Sequence, residues 1–76
     1  MRLSNQLRRC RFEKGDITQH TLAMAVGVTR QTIIAIEKGH FVPSTLLALK
    51  LARFFGKPVE EVFQLCEDTR ADADGR

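Results

Sequence analysis

Tryptophan and tyrosine are absent from this sequence, and cysteine, histidine and proline occur twice each. Cys10 and Cys66 stand near opposite ends of the chain, so they make neither a disulfide framework nor half of a zinc site. His20 and His40 do not supply metal-ligand spacing with them, and no metal or cofactor is expected. No apolar run approaches the roughly 18 residues of a membrane-spanning helix, and the first residues lack the apolar core of a signal peptide. A reducing, cytoplasmic setting is the simplest expectation. Paired carboxylates, a nucleophile beside a base and a phosphate-cradling glycine loop are all missing, which argues against an enzyme. A chain of 76 residues forms one small domain with a modest core, too little to enclose a large pocket for a small-molecule ligand. Repeats and period-two strand patterns are missing as well.

What is present is enough apolar content to fold, 43% of residues, and an uneven charge. Residues 1–66 carry ten Lys or Arg against five Asp or Glu, whereas residues 67–76 carry two Arg against four acids. A basic body with an acidic tail suits a polyanion partner. It is equally what a plain solvated surface looks like.

The centre of the chain is residues 18–39. Thr18 is placed to cap a helix over 19–26 with Leu22, Ala23 and Val26 on one face. Ile17 and Leu22 have the spacing of a hydrophobic staple across that cap. Gly27 ends the helix where a positive φ is needed. Thr29 then caps a second helix over 30–38 with Ile33 and Ile36 inward, closed by Gly39. Two short helices around a glycine turn, with small Ala23 where they cross, is the layout of a helix-turn-helix.

The flanks read as helices too. Leu3, Leu7, Cys10 and Lys14 recur at spacings of three and four, predicting helix 1 from residue 3 or 4 to 14. Cys10 then falls in the core, and Arg11, beside that stripe, needs a partner. Arg2, Arg8 and Arg9 face outward, and Phe12 has no evident place. Ser44 caps a helix over 45–55 that is apolar around most of its circumference, so it is expected to be the central helix of the core. Gly56 closes it, and Pro58 opens a fifth helix ending near Leu65 or Cys66. From Glu67 onward only alanine is apolar, and the composition predicts disorder. The fold class is therefore all-α, with five helices over residues 1–66 and a tail over 67–76.

Thr18-Gln19, Leu22-Ala23, Gly27-Val28-Thr29-Arg30-Gln31-Thr32-Ile33, Ile36-Glu37-Lys38-Gly39 and Pro43-Ser44 together resemble the lambda-repressor-like (Cro/C1, XRE-type) helix-turn-helix regulators. The resemblance runs from about Gln6 to Leu65. It implies a compact five-helix domain that binds double-stranded DNA, usually as a homodimer on a palindromic operator, with the third helix in the major groove. Carried onto this sequence, it gives base reading to Thr29, Arg30, Gln31, Ile34 and Ala35. Phosphate contacts fall to Thr18, Gln19, Lys38 and His40. Arg11 and Glu37 occupy positions that relatives use to pair helix 1 with the end of helix 3.

The side-chain chemistry fits. Arginine bridges O6 and N7 of guanine, and glutamine bridges N6 and N7 of adenine. Ile34 and Ala35 offer only apolar contact, for example to a thymine methyl, and here the sequence departs from the more polar third helix of many relatives. Ile34 reads equally as an exposed apolar residue or one turned toward helix 4. Dimer contacts are expected from Phe41, Phe63 or Leu65. A transcriptional regulator, repressing through its operator, is the leading expectation. A protein-interaction module or antitoxin-type partner on the same fold is the alternative.

Overall fold

The computed structural model describes residues 1–67, so of the acidic tail all but Glu67 lies outside the described residues. The elements in order are β1 (Arg2–Asn5), α1 (Leu7–Glu13), α2 (Gln19–Val26), α3 (Arg30–Glu37), α4 (Thr45–Phe55), α5 (Val59–Val62) and β2 (Phe63–Cys66). Three helices start where their hydroxyl caps dictate. The Oγ1 of Thr18 accepts from the Thr21 N–H at 3.0 Å, that of Thr29 from Thr32 at 3.3 Å, and the Oγ of Ser44 from Leu47 at 3.1 Å. Each satisfies an N–H that a first helical turn leaves without an internal partner. Gly27 and Gly56 stop α2 and α4 in the left-handed conformation, at φ 78° and 67°.

The core is a single cluster. Leu7 and Cys10 enter from α1, Leu22, Ala23 and Val26 from α2, Ile33 and Ile36 from α3, Leu47, Leu51 and Ala52 from α4, and Val62 and Phe63 from the C-terminal end. Ile17 packs against this cluster from the α1–α2 turn, the place its staple spacing calls for. Spacings of three and four in α1 to α4 account for the inward residues, as an amphipathic helix requires.

Two expectations of an all-α chain are corrected. Residues 2–5 are a strand, not the start of helix 1, and residues 63–66 are a strand, not the end of helix 5. They pair antiparallel, Arg2 with Cys66, Leu3 with Leu65, Ser4 with Gln64 and Asn5 with Phe63. The ladder opens with the Gln6 N–H donating to the Val62 carbonyl at 2.8 Å. Leu3 and Leu7 share a helical spacing by coincidence. The break between them is made by Asn5, whose Oδ1 accepts from the Leu7 N–H at 3.1 Å and so begins α1 two residues later. At the other end Phe63 is buried while Leu65, one pleat further along the same face, is 71% exposed because the strand has run past the core.

Smaller differences follow the same logic. Pro58 precedes α5 as its cap instead of lying inside the first turn, and Lys38 is the cap residue after α3. The α4 helix is one-sided after all. Leu47, Leu51 and Ala52 face the core, whereas Leu46 and Leu49 are exposed at 65% and 52%. Among the described residues, nothing covers these two surplus leucines.

Candidate nucleic-acid interface

The α3 helix turns Ile33 and Ile36 into the core. At about 100° per residue, the opposite face is centred on Gln31, flanked by Ile34 and Ala35. Arg30 and Gln31 are exposed, while Ile34, Ala35 and Thr32 are half-buried. Ile34 lies along an open furrow between α1 and α3, together with Arg8, Arg11, Phe12 and Lys38. It therefore faces α1 and solvent, on the side of α3 away from Ile33 and Ile36. A second depression continues the furrow past the start of α2, lined by Arg8, Arg11, Thr18, Gln19, His20, Arg30 and Glu37. The two share Arg8, Arg11, Gln19 and Glu37, so the furrow is continuous.

Its floor is a hydrogen-bonded cluster. The Arg11 Nε donates to Glu37 Oε2 at 2.7 Å, and its Nη2 donates to Oε1 at 3.1 Å. Its remaining Nη1 donates to the Ile17 carbonyl at 2.9 Å. Both side chains are mostly withdrawn from solvent, 14% and 11% exposed. A two-pronged guanidinium–carboxylate contact is stronger and more directional than a single ion pair. Arg11 thus ties α1 to the end of α3 and, through Ile17, to the turn before α2. The pairing implied by the family resemblance is present.

Gln19 joins the same cluster, its Nε2 donating to Glu37 Oε1 at 3.1 Å. One of its two Nε2 N–H donors is therefore used in orienting α3, which leaves the other, with the backbone, as a route toward a phosphate. The N–H groups of Gln19 and His20, at the positive end of α2, have no acceptor among the described residues. The hydroxyls of Thr18 and Thr29 are committed to capping and to Thr21 and Thr32. Lys38 and His40 are exposed, with Lys38 on the furrow and His40 in the turn where its N–H closes onto the Ala35 carbonyl at 2.9 Å.

Two furrow residues went unnoticed in the sequence, Arg8 and His20. Arg8 was legible, since it precedes Arg11 by three on one helix and shares its side. His20 follows Gln19 in the first turn of α2, with no signal of its own. Glu37 is neutralised by Arg11, which leaves Arg8, Arg30, Lys38 and Asp16 as the other charged groups on the two depressions beside Arg9. The surface is net positive. The two groups with displaced acidity lie elsewhere. Burial pushes the Cys10 thiol up, and Lys57 and Arg9 hold the Glu13 carboxyl down. Among the described residues no cluster of His, Cys, Asp or Glu is arranged to hold a metal ion, and no helix is long and apolar enough to cross a membrane.

A family profile described as helix-turn-helix matches residues 7–62. The chain belongs to the helix-turn-helix family, of the XRE or Cro/C1 type. This helix-turn-helix protein is 47% identical to the HTH-type transcriptional regulator YgzD of Bacillus subtilis, over 87% of its own length and 98% of that protein. It is 56% identical to an HTH-type transcriptional regulator of Methanocaldococcus jannaschii, over 63% of its own length and 73% of the relative. It is also 37% identical to the CTXphi transcriptional repressor RstR of Vibrio cholerae, over 78% of its own length and 52% of the repressor. The family is one of regulators, not enzymes.

Proposed function

We propose that this protein is a sequence-specific DNA-binding transcriptional repressor that binds a palindromic operator as a dimer, with α3 in the major groove. The observation that carries this reading is the arrangement on α3. Gln31 stands at the centre of the outward face and Arg30 at its margin, beside a furrow lined by Arg8, Arg11, His20 and Lys38. Arg30 and Gln31 have the donor pairs that distinguish guanine and adenine edges in the major groove. The furrow cations and the free N–H groups of α2 suit the flanking phosphates, which position a protein without specifying sequence. Thr29 reads through its exposed backbone and methyl more than its hydroxyl, and Ile34 and Ala35 meet apolar edges such as thymine methyls.

One α3 helix reads few base pairs, so two copies spaced near one helical turn, about 34 Å, would be needed for an operator. Exposed Phe41, Val42, Leu46 and Leu49 support contact with a second copy, whereas Phe63 is used up in the core. The relationship to a protein named a transcriptional repressor supports repression.

Selection of duplexes from a random pool, followed by titration of the selected sequence at several salt concentrations, tests this directly. The expected result is one enriched half-site motif in inverted repeat and affinity that falls steeply with salt. Absence of salt-dependent binding, with recovery of one stoichiometric protein partner instead, would move the assignment to an interaction module.

A further inference from the structure

The family profile spans residues 7–62, and the sheet, residues 2–5 with 63–66, lies wholly outside it. Yet the sheet reaches into α3. Asn5, the last residue of β1, donates from Nδ2 to the Ile36 carbonyl at 2.9 Å while its Oδ1 receives the Leu7 N–H. The Ile36 carbonyl already accepts from the Gly39 N–H at 2.9 Å. Both of its acceptor positions are therefore filled, and the Asn5 bond adds a tether between elements instead of rescuing an orphan group. Next along, Glu37 is held by Arg11. Two consecutive residues at the C-terminal end of α3 are thus bound by side chains from residues 5 and 11. At the N-terminal end, the polar bonds of Thr29 and Thr32 are local to the helix, and that end is held to α2 through the turn, where Val28 packs on the core and its N–H donates to the Ala23 carbonyl at 3.0 Å. The α3 helix is thus anchored to α2 at its N-terminal end and to β1 and α1 at its C-terminal end, the latter about 9 Å along the axis from Arg30 and Gln31 at 1.5 Å per residue.

We propose that Asn5 is a positioning residue for DNA reading, so that the sheet sets the tilt of α3 from outside the matched domain. This rests on the DNA-binding role proposed above. The pairing of Asn5 with Phe63, which is buried, fixes where the amide sits. Loss of the tether leaves the furrow cations in place and loosens the C-terminal end of α3, and with it the tilt of the helix. Base discrimination depends on the placement of Arg30 and Gln31, whereas general attraction to phosphates does not. The consequence is a selective loss of sequence preference.

Asn5→Ser separates the two jobs of the side chain. The shorter, uncharged hydroxyl still accepts from the Leu7 N–H as a turn residue and no longer spans to Ile36. The measurements are affinity for a selected duplex and for its scrambled counterpart, the salt slope of each, and amide exchange at Lys38, Gly39 and His40. The expected result is faster exchange at those amides and a loss on the order of tenfold in preference for the selected duplex, the equivalent of one hydrogen bond. Scrambled-duplex affinity and its salt slope stay unchanged. Equal weakening on both duplexes, or unchanged preference, overturns the proposal, as does unchanged exchange. Asn5→Ala, which also removes the α1 turn bond, serves as the folding control. A wild-type chain that selects no duplex overturns the function itself, and altered exchange would then show a tether without that role.

Discussion

The guanidinium of Arg11 holds both carboxylate oxygens of Glu37, with Nε to Oε2 at 2.7 Å and Nη2 to Oε1 at 3.1 Å. The pair joins residues 26 positions apart and carries the carbonyl of Ile17 on its third prong. Removing one partner leaves the other charge withdrawn from water without compensation, which is costlier than losing an exposed pair. Arg11→Ala is expected to lower stability by about 3 kcal/mol, read from urea unfolding. In a double-mutant cycle with Glu37→Gln, a coupling above about 1 kcal/mol is expected, against less than that for an exposed pair.

Arg8 and Gln31 should fail in different ways. Arg8→Ala is expected to weaken binding to all duplexes and reduce the salt slope by about one, as removal of a phosphate contact does. Gln31→Ala is expected to lose about 1–3 kcal/mol on the selected duplex only, relaxing the requirement at one base pair. Parallel titrations on selected and scrambled DNA separate the two patterns.

The faces of α4 make opposite predictions. Leu51 is fully buried, and Leu51→Ala is expected to cost about 2–5 kcal/mol through lost burial and the cavity left behind. Leu46→Lys replaces an exposed side chain, so unfolding of the isolated chain should move by less than about 0.5 kcal/mol. Light scattering on Leu46→Lys then reports whether this face holds a second copy, because a charge there would disperse a dimer while leaving the fold intact.

Acid should reveal Glu13. Hydrogen bonds from Lys57 and Arg9, with their charges, lower its pKa below the ordinary glutamate value of 4.5. A lowered value in the folded state stabilises above the unfolded value and is lost as pH falls through the folded one. Stability of the wild type should therefore decline below about pH 4.5 more steeply than that of Glu13→Gln, measured as urea midpoints across the acid range.

Thiol reagents should distinguish the cysteines. Cys10 is buried, and desolvation raises its pKa above the ordinary thiol value, so the native thiol stays protonated and shielded near neutral pH. Cys66 is partly exposed. One fast-reacting thiol is expected in the native chain and two after unfolding, with mass mapping assigning the fast one to Cys66.

Much of this was legible in advance, because local chemistry decides it. The caps Thr18, Thr29 and Ser44 and the stops Gly27 and Gly56 act within one turn, and they bound α2 to α4 with little help from the rest of the molecule. The sheet was not legible. Residues 2–5 and 63–66 are too short to show a period, and each becomes a strand only by meeting the other across the chain. The same holds for the site. Arg11 and Glu37 are visible through their family positions, but the donation from Gln19 to Glu37 appears only once α2 and α3 are packed together. Leu46 and Leu49 misled because apolar content cannot say which residues a neighbour covers.

The pairing of residues 2–5 with 63–66 also orders events in time. The α2–α3 unit is made of contacts close in sequence, which form early and cheaply, whereas the sheet must close nearly the full length of the described chain. The contacts of α2 with α3 therefore close short loops, whereas those of β1 with β2 close a long one. If Asn5 aligns α3 as proposed, that alignment depends on the contact of longest sequence separation in the fold and is the part of the site that a loss of β2 would disturb first.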